Sequence, residues 1–104
     1  MMSTYYAVIF TSIRTDQESS EYEMMADKMV ELASKQPGFI DVESARDSKG
    51  YGITVSYWES LEAIQEWKEN TAHQAAQRKG KETWYEDFKV RICKVEREYS
   101  FEDK

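Results

Sequence analysis

FIDVESARDSKGYGITVSYW, residues 39–58, decides the fold. Two runs rich in β-branched and aromatic residues, 39–46 and 51–58, flank Asp47-Ser48-Lys49-Gly50. A short polar connection with a glycine free to take a positive φ predicts an antiparallel hairpin. Side chains alternate across a strand, so Tyr51, Ile53, Val55 and Tyr57 share one face. Thr54, Ser56 and Trp58 share the other.

Upstream, Pro37-Gly38 stops a helix. Tyr22, Met25, Ala26, Met29, Leu32 and Ala33 recur at i, i+3, i+4, i+7, i+10 and i+11, one apolar stripe. Ser20-x-x-Glu23 has the form of a capping box, and Glu21, Glu23 and Asp27 suit the positive end of the helix dipole. Residues 14–19 are polar and form a loop. Before them YYAVIFTSI, residues 5–13, is a strand with both faces partly buried. Downstream, Ser60 caps a second helix carrying Leu61, Ala63, Ile64 and Trp67. Asn70-Thr71 interrupts it, and Thr71 opens a further helical stretch, 72–79, ending at Gly80. FKVRICKVEREY, 88–99, alternates as a long last strand, and SFEDK is a loose tail.

The order β-α-β-β-α-β is the ferredoxin-like α+β pattern, an antiparallel sheet with both helices on one face. At 104 residues the chain is read as one domain, 1–104, with its core at about 5–99. The helices cover one face, yet strand 1 sets Tyr5, Ala7 and Ile9 on one side and Tyr6, Val8 and Phe10 on the other. An uncovered apolar face of this size predicts a homodimer packed sheet on sheet.

Hydrophobic residues make up 40% of the chain, charged residues 33%, and the net charge is −6. That acidity speaks against nucleic-acid and anionic-membrane partners, both of which need a basic surface. Cys93 stands alone among strand residues and reads as a packed, inert thiol in a reducing cytoplasm. The N-terminal residues lack the pattern of a signal peptide, and no apolar run approaches the ~20 residues of a membrane span. No P-loop, GxGxxG, CxxC, HExxH or GxSxG occurs, which disfavours nucleotide-dependent and standard hydrolytic chemistry.

Chemistry concentrates in residues 58–85, WESLEAIQEWKENTAHQAAQRKGKETWY. They hold all three tryptophans and the single histidine. Trp58, Trp67 and Trp84 suit a flat slot for an aromatic ligand. His73 titrates near neutrality and suits a base or a metal ligand. Tyr57 and Tyr85 offer phenol O–H groups, and Arg91 a cation for an anionic oxygen. The spacing of Glu59, Glu62, Glu66 and Glu69 makes a solvent-facing charged stripe rather than a metal site. Arg78-Lys79-Gly80-Lys81 is a solvated cationic turn.

Trp58-Glu59-Ser60, Trp67, His73, Gly80 and Trp84-Tyr85, with Gln36-Pro37-Gly38-Phe39 before them, resemble the antibiotic biosynthesis monooxygenase (ABM) family. The resemblance spans 5–99 in element order. It implies a dimeric α+β barrel and, in some members, a cofactor-independent monooxygenase acting on polycyclic phenols or hydroquinones. There His73 is the base, the tryptophans the slot, and Tyr57 or Tyr85 the polar contact, in a pocket between the sheet and the second helix region. No cofactor is expected on this reading. Another branch binds and degrades haem, using an asparagine on the first strand. Residues 5–13 contain none, and Trp67 and His73 stand only six residues apart, so haem is disfavoured. A non-catalytic ligand-binding module of the same fold is the third reading.

Overall fold

The computed structural model describes residues 4–15, 20–70, 74–75, 78–79, 81 and 85–101, without the side chains of residues 20–22. The elements run β1 (Tyr5–Arg14), α1 (Ser20–Ser34), β2 (Phe39–Arg46), β3 (Tyr51–Trp58), α2 (Leu61–Lys68) and β4 (Tyr85–Val95). The four strands form one antiparallel sheet in the order β2-β3-β1-β4. This is the expected ferredoxin-like α+β fold.

The hairpin forms for the reasons its sequence suggests. Gly50 has φ +94°, and the Asp47 carboxylate accepts from the amides of Lys49 and Tyr51, each at 2.9 Å. Gly50 also ties β1 to the turn, its carbonyl accepting from Arg14 N–H at 3.0 Å. On β2 the Arg46 guanidinium lies across Gly52, donating to the Gly50 carbonyl at 2.7 Å and to the Ser12 hydroxyl at 3.3 Å. Glycine at 52 leaves room for that crossing.

Both helices sit on one face, α1 on β2 and α2 on β3. Over its described side chains the α1 stripe holds: Met25, Ala26, Met29 and Leu32 are partly buried and Ala33 is buried, while Met24 and Val30 face solvent; the Tyr22 side chain lies outside the described residues. The capping box rests on the Ser20 side chain, outside the described residues. Ser60 caps α2, its hydroxyl accepting from Ala63 N–H at 3.0 Å. Ala63 and Ile64 form the buried side of α2, whereas Leu61, expected to begin its stripe, is exposed. At the first turn Leu61 points away from the sheet, and the shorter Ala63 takes the contact. Of the stretch 72–79, residues 74–75 and 78–79 are helical and the others lie outside the described residues.

The last strand differs from 88–99. It starts at Tyr85, where a bulge pairs that residue with Arg14, and ends at Val95 opposite Tyr5. Strand needs a partner. Among the described residues β1 begins at Tyr5, and Glu96–Tyr99 alternate in sequence without being strand.

The core is small and centres on Trp58, which has no exposed surface. Ala33, Ala63 and Ile64 surround it, with Tyr6, Val8, Phe39 and Trp67 packed outside. Its indole N–H is satisfied by the Ser56 hydroxyl at 2.9 Å. The α1–β2 turn is clamped to α2: Gly38 has φ +85°, its carbonyl accepts from Glu59 N–H at 2.7 Å, and a Cβ there would lie 2.6 Å from Ala63 Cβ. Gly38→Ala combines a left-handed backbone with overpacking, so we expect a loss of about 2–4 kcal/mol. Urea unfolding should show it as a lowered midpoint with an unchanged slope.

Candidate functional site

Strand register sorts the candidate residues onto two faces. Trp58 lies opposite Tyr6 and Phe39, towards the helices. Tyr57 lies opposite Ala7 and Asp41, on the other face. Trp58 and Tyr57 are therefore separated by the sheet and line no common slot. Trp58 has no surface to offer a ligand. It is the floor under the helices rather than a wall of a pocket, because Phe39 and Trp67 enclose its ring. The Phe39 ring meets it edge-on at 5.4 Å, and the Trp67 ring stacks at 6.3 Å and 25°. Trp67 is only partly buried and remains a usable wall.

Tyr85 brings a second aromatic group to the helix side. Its ring lies 5.5 Å from Phe10 and 5.9 Å from Phe88, and those two are 5.4 Å apart. The cluster sits over β1 and β4, away from the strands on which α1 and α2 pack. On this same face Val90 and Ile92 remain 42% and 53% exposed. The result is an apolar, aromatic-walled half of the helix face with one phenol at its end. It stands four residues along β1 from the Trp58–Trp67 stack, about 13 Å. Phe10 and Phe88 were absent from the expected site. Their signal lay in the alternation of β1, where Tyr6, Val8 and Phe10 share a face, but only the β1–β4 register joins Phe88 to it.

His73 and Trp84, the expected base and third wall, lie outside the described residues. Arg91 lies level with Ile9 and Val55 on the face without helices, remote from Trp67 and Tyr85. Cys93, level with Ala7, is half-buried on that same face. The glutamates at 59, 62, 66 and 69 are exposed, as their spacing predicts. Among the described residues no group of His, Cys, Asp and Glu has the arrangement of a metal site, and no helix is long and apolar enough to cross a membrane.

The face without helices has its own chemistry. At one end Tyr5 and Tyr57 meet edge to face, 6.1 Å apart. They line an open hollow of about 520 Å³ with Ile40, Val95 and three carboxylates, Asp41, Glu43 and Glu98. The Tyr57 hydroxyl donates to Glu43 Oε2 at 2.9 Å. That bond favours the neutral phenol and raises its pKa, with desolvation and the Glu43 charge adding to it. Tyr5 is raised likewise, first by its hydrogen bond to Glu98.

The antibiotic biosynthesis monooxygenase family model matches residues 4–79. The uncharacterised protein YqjZ of Bacillus subtilis is 50% identical over 99 residues, covering 95% of this chain and 86% of that one. Among solved structures, Rv0793 from Mycobacterium tuberculosis superposes with a TM-score of 0.80 at 15% identity, over 92% of this chain and 99% of that one. The N63A mutant of SnoaB, a cofactor-independent oxygenase from Streptomyces nogalater, superposes with a TM-score of 0.67 at 10% identity, over 94% and 96%.

The tyrosine–glutamate pairs set a measurable titration. A raised folded pKa contributes stability that is whole below the ordinary tyrosine value of 10.0 and is lost as pH climbs through the folded value. In an ultraviolet phenolate titration, Glu43→Ala should bring one tyrosine down towards 10.0 and leave the others in place. An unmoved titration curve would mean that Glu43 does not hold the Tyr57 proton.

Proposed function

The chain belongs to the antibiotic biosynthesis monooxygenase family, and from that premise we propose that it binds a small aromatic or hydroquinone-like molecule on the helix side of the sheet and oxidises it with molecular oxygen, without a cofactor. The observation that carries this is the Phe10–Tyr85–Phe88 cluster: three rings around exposed apolar surface, ending in one phenol O–H. A flat aromatic ligand stacks on such walls, and the hydroxyl fixes one polar substituent. The likeness to SnoaB supports oxygen chemistry on this fold.

The reaction makes few demands on the protein. A base removes a proton from the substrate, and the electron-rich anion passes an electron to oxygen. One oxygen atom enters the substrate. The other leaves as water with two hydrogens that the substrate as a whole gives up, so that a hydroquinone ends as a hydroxyquinone and itself supplies the electrons. In this proposal His73 is the base, Tyr85 the polar contact, and Trp67 and Trp84 further walls. Tyr57 and Arg91, on the opposite face, have no part in it. We place the protein in the cytoplasm as a homodimer; the homodimer is supported by the second sheet face, which carries Ile9, Ile13, Tyr51, Ile53 and Val55 with no helix over them among the described residues.

The test is tryptophan-fluorescence titration with a hydroquinone panel and with hemin, followed by oxygen-electrode traces on each binder. The expected result is quenching by a hydroquinone together with oxygen uptake. His73→Ala should lower turnover by about 10²–10⁴-fold with little change in binding. Phe10→Ala should instead raise KM about tenfold, the worth of roughly 1.4 kcal/mol of lost ring contact. Quenching without oxygen uptake would replace the oxygenase with a non-catalytic binding module. A hemin Soret shift that disappears in His73→Ala would replace it with a haem protein.

A further inference from the structure

On the helix face, at the hairpin end of the sheet, one row crosses the four strands as Arg46, Gly52, Ser12 and Phe88, on β2, β3, β1 and β4 in that order. Ser12 shares this face with Tyr6, Val8 and Phe10 and is buried on it. Arg46 belongs to an edge strand, from which a long side chain can run straight out into water. It turns inward instead. Its guanidinium lies over Gly52, where a Cβ would stand 2.5 Å from Arg46 Cζ. One nitrogen donates to the Gly50 carbonyl at 2.7 Å and another to the Ser12 hydroxyl at 3.3 Å. The next residue, Asp47, is turned into the hairpin, its carboxylate accepting from the amides of Lys49 and Tyr51. Arg46 as a whole stays exposed, so a ligand can reach the group that these bonds orient.

Phe88 stands on the other side of Ser12, its ring 5.4 Å from Phe10 and 5.9 Å from Tyr85. Strands are about 4.8 Å apart, so about 10 Å separates the Gly52 position under the guanidinium from Phe88 on β4. One substituted ring spans that gap.

The structure assigns to Arg46 the choice of substrate at the site proposed above: an aromatic acid, a hydroquinone-like ring that carries a carboxylate. This rests on that site and names its substrate class. The ring stacks on Phe10 and Phe88, a ring hydroxyl meets Tyr85, and the carboxylate meets the guanidinium. Each group suits its part. A tyrosine hydroxyl accepts and donates, which fits a neutral phenol. A guanidinium stays charged at every relevant pH, and its planar fork matches the two oxygens of a carboxylate. Arg91, expected from the sequence to serve an anionic oxygen, is on the opposite face, and Arg46 supplies the charge on the side where the rings are. A net charge of −6 repels anions at long range, so a preference for an acid has to come from a local cation.

Calorimetric titration with three probes tests this: hydroquinone, gentisate (hydroquinone carrying one carboxylate) and gentisate methyl ester, which keeps the shape and removes the charge. Folding is followed by circular dichroism. Wild type should bind gentisate roughly 10–100-fold more tightly than the ester. Arg46→Gln should abolish that preference by weakening gentisate alone. Gly52→Ala should do the same with the charge retained, because the new Cβ displaces the guanidinium, and it carries the test where Arg46→Gln does not fold. A merely structural role for Arg46 would move gentisate and ester together or move neither, and that result would overturn the assignment. A wild type that binds hydroquinone or the ester as tightly as gentisate would overturn it too, while leaving the proposed site in place. A wild type that binds none of the three would overturn the site and the assignment together.

Discussion

Trp58 joins the two helices to the sheet. With α1 packed chiefly on β2 and α2 on β3, the layers have few shared contacts, and this indole touches elements of both. Ala33 reaches it from α1, Ala63, Ile64 and Trp67 from α2, and Phe39 from the start of β2. The alanines let the helices come close, and Ser56 satisfies the one polar atom that such depth would otherwise strand. The Gly38 turn serves the same constraint, since the second helix reaches the indole only where the chain leaving the first passes within contact of Ala63.

The fold was legible because periodicity was. The 3.6 period of Met25, Ala26, Met29, Leu32 and Ala33 and the alternation of 51–58 are local signals, and both survive in the structure. Strand 4 was harder. Its ends are set by its neighbour, and nothing in EREY says that β1 has run out at Tyr5. The site was read less well for a reason the sequence did contain. Tyr57 and Trp58 are consecutive in a strand, so they cannot line one slot. Arg91 follows the same parity, level with Ile9. Burial was less visible: a tryptophan ending a strand suits a pocket wall as well as a core, and only the arrival of α2 decides for Trp58. Phe10 and Phe88 needed the pairing of the first strand with the last, a long-range fact.

The sheet keeps two kinds of surface apart. Towards the helices, rings meet rings and aliphatic side chains, with hydroxyls few and placed. On the other side, phenols are tied to carboxylates and cations stand at the far edge. Two neighbouring residues therefore serve different ends, Trp58 holding the layers together and Tyr57 holding Glu43 in position. A substitution in a strand of this protein is read first by parity, and only then by chemistry.

The central position of β1 also orders events in time. It precedes the other three strands in the chain, and its partner β4 follows them, with the rest of the described fold between the two. The β2–β3 hairpin closes over a four-residue turn and is complete before β4 is made. One edge of β1 has no partner until β4 emerges. A nascent chain of this protein therefore carries an open β edge through most of its translation, the state in which chaperones are recruited and intermolecular pairing begins.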